Sequence, residues 1–169
     1  ARSGDVGVWA AHVSEYVIDR FDAGGHRTLR IVRRAPWFAP HDAPPLSVDP
    51  EPKPRIMAVS EDTLGRLWVV VLVKDNRWRT ALGWNLPTRL GGGRSPMPVI
   101  LDDDNYFDTV IEVIDVRTTR VLVSQRFPQA FLFMVGRNYV GTRREDASGA
   151  FYIELWSASL RDGIRPIPR

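Results

Sequence analysis

The chain contains no cysteine, which excludes disulfides, thiolate nucleophiles and thiolate metal sites while leaving the redox compartment open. No apolar run approaches the roughly 20 residues that a membrane-spanning helix needs. The start of the chain lacks the charged, apolar, small-residue order of a signal peptide. His12, His26 and His41 stand without metal-ligand spacing, and no serine occupies a Gly-x-Ser-x-Gly elbow. The run Gly91-Gly92-Gly93-Arg94-Ser95 lacks the Gly-Lys-Ser/Thr ending and the preceding strand of a phosphate loop, so flexibility explains it better. A net charge of +3 and a pI of 9.7 would suit nucleic acid. The basic residues, however, are scattered among acidic ones, with Arg33-Arg34 and Arg143-Arg144 the densest pairs. No basic block or stripe forms, and nucleic acid is not an expected partner.

What is present is ordinary globular material: 169 residues, 44% hydrophobic and 25% charged, enough for one domain with a sizeable core. Its point of reference is Gly65-Arg66-Leu67-Trp68-Val69-Val70-Val71-Leu72-Val73. Valine dominates this run, and β-branched side chains prefer the pleat. Turn residues bound it at Asp62-Thr63-Leu64-Gly65 and Lys74-Asp75-Asn76. A short apolar run of this kind predicts a central strand covered on both faces. Further strands are expected over 6–13, 16–22, 28–33, 55–60, 108–115, 120–127, 130–135, 138–143 and 150–159. Seven prolines across 35–54 forbid a ladder and predict an extended connection. Residues 75–106, with three glycines in a row and no helical period, read as a long loop insertion. The tail 161–169 carries two prolines and is expected along the surface.

The strands repeat. Tyr16-Val17-Ile18-Asp19-Arg20-Phe21-Asp22, Thr109-Val110-Ile111-Glu112-Val113-Ile114-Asp115 and Phe151-Tyr152-Ile153-Glu154-Leu155-Trp156-Ser157 each place an acid after Ile and a large apolar residue two positions beyond the acid. Ile111 and Ile153 lie 42 residues apart; Ile18 and Ile111 lie 93 apart, of which the two irregular segments take 52 and leave 41. A period near 42 that holds four strands predicts propeller blades. On the Asp62-to-Trp68 turn and strand and on the acid-bearing strands, the chain resembles bacterial six-bladed β-propellers of the NHL and SMP-30-like class. The resemblance implies an all-β chain of about two and a half four-stranded antiparallel blades, a C-terminal portion of a longer protein or one that completes a ring with a second copy, and a periplasmic or secreted location. A single β-sandwich is the alternative fold.

For function, the missing catalytic constellations and the Trp-rich loops favour a non-catalytic scaffold that binds a protein or small-molecule ligand without a cofactor. A metal-dependent lactonase or lyase, its active site shared with blades outside this chain, is the alternative. The acids Asp19, Glu112 and Glu154 suggest a carboxylate ring of the kind that holds metal in gluconolactonase-like propellers. Their mid-strand position instead predicts that they face solvent or pair with a neighbouring arginine. Asp102, Asp103 and Asp104 offer oxygens to a hard cation but lack the glycine and distal glutamate of a calcium loop. Strand alternation gathers 35–54, 75–106 and 144–149 at one end, which assigns ligand binding to Trp37, Trp78, Arg79, Trp84, Arg143 and Arg144. The same tryptophans also suit a second role, anchoring long loops onto the sheets.

Overall fold

A computed structural model describes residues 7–42, 51–85, 97–136 and 138–160. The first sheet is β1 (Val8–Ala11), β2 (Val17–Phe21) and β3 (Arg27–Val32), paired in that order. The middle sheet begins with β4 (Arg55–Glu61) and β5 (Arg66–Lys74). The chain then leaves it for a 3-10 turn (Trp78–Ala81), a hairpin of β6 (Leu82–Asn85) and β7 (Met97–Ile100), and a single helical turn, α1 (Asp103–Tyr106). It returns as β8 (Phe107–Asp115) and β9 (Val121–Phe127), giving the order β4-β5-β8-β9. The third sheet is β10 (Phe133–Val135), β11 (Tyr139–Glu145) and β12 (Phe151–Ser157). All these pairings are antiparallel.

Each strand expected from the sequence has its counterpart, and β5 is buried from Leu67 through Val73. Its alternation explains why. Leu67, Val69, Val71 and Val73 join Val110 and Ile114 of β8 against Tyr16, Ile18 and Ile31 of the first sheet. Trp68 and Val70 join Ile111 and Val113 against Phe131 and Val140 on the side of the third sheet. Successive side chains of a strand point to opposite faces, so an unbroken apolar run requires a cover on each. Each fully buried aliphatic side chain contributes about 1.5–3 kcal/mol. The three sheets therefore stack with the middle one enclosed, in place of the two layers of a sandwich.

Three of the tight turns share one chemistry. In each, an aspartate Oδ1 accepts the amides two and four residues on: Asp22 from Gly24 and His26 (both 2.9 Å), Asp62 from Leu64 (2.9 Å) and Arg66 (3.1 Å), Asp146 from Ser148 (2.8 Å) and Ala150 (3.0 Å). The residue between those two amides is a glycine with φ of 79°, 72° and 84° in turn, a conformation that costs glycine almost nothing. Asp62 also accepts from Trp68 Nε1 at 3.0 Å and Arg66 Nε at 2.7 Å, tying the turn to the face of β5 it introduces.

The insertion differs from the loop the sequence suggests, because its described part is a hairpin between two helical turns. Of the Pro-rich connection, 43–50 lie outside the described residues, as do Gly91-Gly92-Gly93 and the tail 161–169. Two of the repeated strands are interior, β2 between β1 and β3 and β8 between β5 and β9, whereas β12 is an edge strand beside β11 among the described residues.

Candidate functional site

The register shows which connections meet. Lys74 pairs with Phe107, Thr109 with Phe127, Val17 with Val32 and Glu145 with Phe151. The segments leaving these pairs are pinned together. Lys74 and Glu51 form an ion pair, and His41 donates its amide to Ser14 O at 3.1 Å. Asp104 of α1 accepts the Ala130 amide at 2.9 Å and pairs with Arg144 of β11, which also reaches Glu154 Oε2 at 3.1 Å. Arg144 is held above the ordinary arginine range by Asp104 first and Glu154 second, against burial.

The base of the insertion is an aromatic knot. Trp78 is 7% exposed and packs with Leu72, Ala81, Tyr106, Phe107 and Ala130. Its ring meets Tyr106 at 6.4 Å edge-on, and Tyr106 meets Phe107 at 4.6 Å in the same manner. Two guanidiniums cap the knot: Arg79 lies 4.5 Å over Trp78 and Arg55 lies 4.7 Å over Phe107. Burial pushes the Arg55 guanidinium below its usual range. Trp84, by contrast, is 59% exposed on β6.

Beside the knot two carboxyl groups are buried together. Asp108 Oδ2 accepts Arg126 Nε at 2.5 Å, while Oδ1 has no donor. Burial raises Asp108, with Arg126 opposing and Asp75 adding to the rise. Burial also pushes Asp75 upward, but the Arg77 amide, Asp108 and the Arg77 guanidinium outweigh it and bring Asp75 below its usual range.

The acid of β8 is the most enclosed charge in the molecule's described part. Glu112 is 0% exposed and accepts Tyr16 Oη at 2.8 Å, Arg33 Nε at 2.5 Å and Arg33 Nη2 at 2.7 Å. The arginine pairing expected for these acids is present at all three: Asp19 with Arg30, Glu112 with Arg33, Glu154 with Arg144. The expectation that such an acid faces solvent fails at Glu112, because the first sheet lies over it, and at Asp19, which is buried beneath Arg27, Arg30 and His12. Burial, and then the charge and hydrogen bond of Glu112, push the Tyr16 phenol far up. Its folded value exceeds the unfolded value near 10, so its stabilisation is complete below about pH 10 and is lost as pH rises further. Thermal unfolding should therefore show stability falling above about pH 10 in the unaltered chain and falling less in Tyr16→Phe. Parallel alkaline slopes would overturn this assignment.

The residues singled out in the sequence thus divide. Trp78 is an anchor. Trp37 is half-buried against Tyr16 (5.9 Å) and Phe38 (6.2 Å), and plugs the first sheet. Arg144 is engaged by two carboxylates, and Arg143 stacks 4.8 Å over Phe151. Arg79 and Trp84 remain on the surface of the insertion. Asp102 caps α1, accepting Asp104 and Asn105 amides at 3.1 and 3.2 Å. Among the described residues no group of three or more histidines and carboxylates converges as metal ligands. Sequence reasoning missed the Asp75–Asp108 pair and the burial of Glu112. For Glu112 the signal was its place between Val110-Ile111 and Val113-Ile114. The chain matches no known family model, and no curated protein or solved structure is detectably similar to it.

Proposed function

We propose that the stacked sheets are successive blades of a bacterial six-bladed β-propeller of the NHL and SMP-30-like class. In this reading the chain is a non-catalytic scaffold that binds a protein or small-molecule ligand at the end where the connections gather. The period near 42 and the interior placement of both β2 and β8 support the blade reading. The observation that carries the binding site is Trp84: a tryptophan left in water on a hairpin whose base is fastened by a buried Trp78. Exposed aromatic and arginine side chains on a rigidly supported projection are the composition of recognition surfaces. Arg79 supplies the cation, held in place by its stack on Trp78. The experiment is nuclear magnetic resonance with indole and arginine side-chain labels, titrated with a library of small molecules and short peptides. Ligands are expected to move the Trp84 indole and Arg79 Nε–H signals first. Perturbations confined to the opposite end, at the Asp62 and Asp115 turns, would overturn the assignment.

A further inference from the structure

No other sheet covers the outer face of the third sheet among the described residues. Cross-strand register places Phe133, Gly141 and Leu155 on one side of that sheet, together with Val135, Tyr139 and, further along, Ile153 and Phe151, the last beneath the Arg143 guanidinium and paired with Glu145. The opposite side carries Val140 and Trp156, which pack toward the middle sheet. Phe151, Ile153, Leu155, Tyr139 and Val135 are all exposed. An apolar face of this kind is uncommon on a monomer.

The repeat states what covers such a face. Ile18, Ile111 and Ile153 hold one position of the repeat, in β2, β8 and β12 of the three stacked sheets, yet they are 0%, 6% and 54% exposed. Ile18 is covered by the acid-bearing face of the middle sheet, Val110, Glu112 and Ile114. Ile111 is covered from the side of the third sheet, whose acid-bearing face carries Glu154 and Trp156. One acid-bearing face in the described residues has no other sheet over it, that of the first sheet. It carries Val17 and Asp19 of β2, with Val8 and Val32 exposed beside them, and Asp19 itself is buried beneath Arg27, Arg30 and His12 of the same face.

From this we infer that the outer face of the third sheet docks onto the outer face of the first sheet of a second copy of the chain, head to tail. The inference rests on the blade reading above. The two surfaces that no other sheet covers are the two halves of a contact the chain already makes twice within itself. A side-chain exchange fits the pairing. Within the chain, Tyr16 donates to Glu112 of the next sheet, but Phe151 stands in the place of Tyr16 and has no donor. Accordingly Asp19, which takes the place of Glu112, has its donors in its own sheet: Arg30 Nε and Nη2, both at 2.7 Å. These hold Asp19 at about 2, against burial and with Arg27 assisting. Asp19 therefore meets an apolar partner already satisfied. Such a contact is heterologous, and it closes only if the rotation between copies allows. Two copies of the three stacked sheets among the described residues make six, within the range of propeller rings.

The absence of native cysteine makes the test clean. Phe151→Cys and Ala10→Cys each place one thiol on one of the two faces, Ala10 being the cross-strand neighbour of Asp19. A mixture of the two variants treated with a short bis-maleimide is expected to give covalent heterodimers, whereas each variant alone gives almost none. Sedimentation equilibrium of the unaltered chain is expected to show a dimer, and Ile153→Asp to weaken it by more than about tenfold with its circular dichroism unchanged. A monomer at high concentration, or efficient cross-linking of Phe151→Cys to itself, overturns the docking. A ladder of products longer than dimers from the doubly substituted chain leaves the docking standing and overturns the six-sheet ring.

Discussion

Replacing Arg33 with methionine is expected to destabilise the chain more than replacing its partner Glu112 with leucine, and adding the second substitution to the first is expected to restore stability. The asymmetry follows from where each charge lies. Glu112 is wholly enclosed, whereas the Arg33 side chain keeps about a quarter of its surface in water. Without Arg33, a buried carboxylate retains only the Tyr16 hydroxyl. Breaking a buried pair in this way costs about 3–5 kcal/mol, which for a chain of this size lowers the melting temperature by roughly 10 °C. Without Glu112, the guanidinium turns toward solvent and the loss is the Tyr16 partner, about 1–3 kcal/mol. The double variant removes the uncompensated charge and should melt above Arg33→Met alone. Calorimetric melting of the three variants decides the matter. Additive losses would show that the pair is screened and that Glu112 is solvated when the protein moves.

The sequence carried the strands because its apolar runs are valine-rich and its turns are punctuated by Asp-x-x-Gly. It carried the stacking of sheets only through the repeat, since a period fixes like positions without fixing what lies against them. Two features escaped for physical reasons. The insertion, read as a loop for its glycines and lack of a helical period, holds a two-stranded hairpin that accommodates Gly83 and Pro98. Pro98 faces Trp84 on a strand with one neighbour, so a missing amide donor disrupts no second ladder. The enclosure of Glu112 depends on Tyr16 and Arg33, which lie 96 and 79 residues away in the chain. No local pattern reports contacts at that range. At the candidate site the composition of the end was legible and the roles of its residues were not. Trp78 lies among Asp75, Asn76, Arg77 and Arg79 and Trp84 among Ala81, Leu82, Leu86 and Pro87, so the local sequence points the opposite way from the fold, which buries Trp78 and exposes Trp84.

That division between the two tryptophans yields the second large effect. Trp78→Ala is expected to lower stability by about 3–5 kcal/mol, the range for deleting a buried large aromatic side chain, again roughly 10 °C in melting temperature. The loss falls on a knot in which Leu72, Tyr106 and Phe107 share the same space, so the cavity cannot collapse without moving β8 or α1. Arg79 loses the ring it stacks on, and its guanidinium becomes free on the surface. Trp84→Ala removes a side chain mostly in water, and exposed substitutions of this kind stay within about 0.5 kcal/mol. Thermal melts of the two single variants should therefore separate by several degrees. Ligand titrations should show the reverse order for direct contact, with Trp84→Ala losing affinity while its melt is unchanged. Equal melting losses in the two variants would mean that Trp84 is packed in solution, and the recognition role of the hairpin would fall with it.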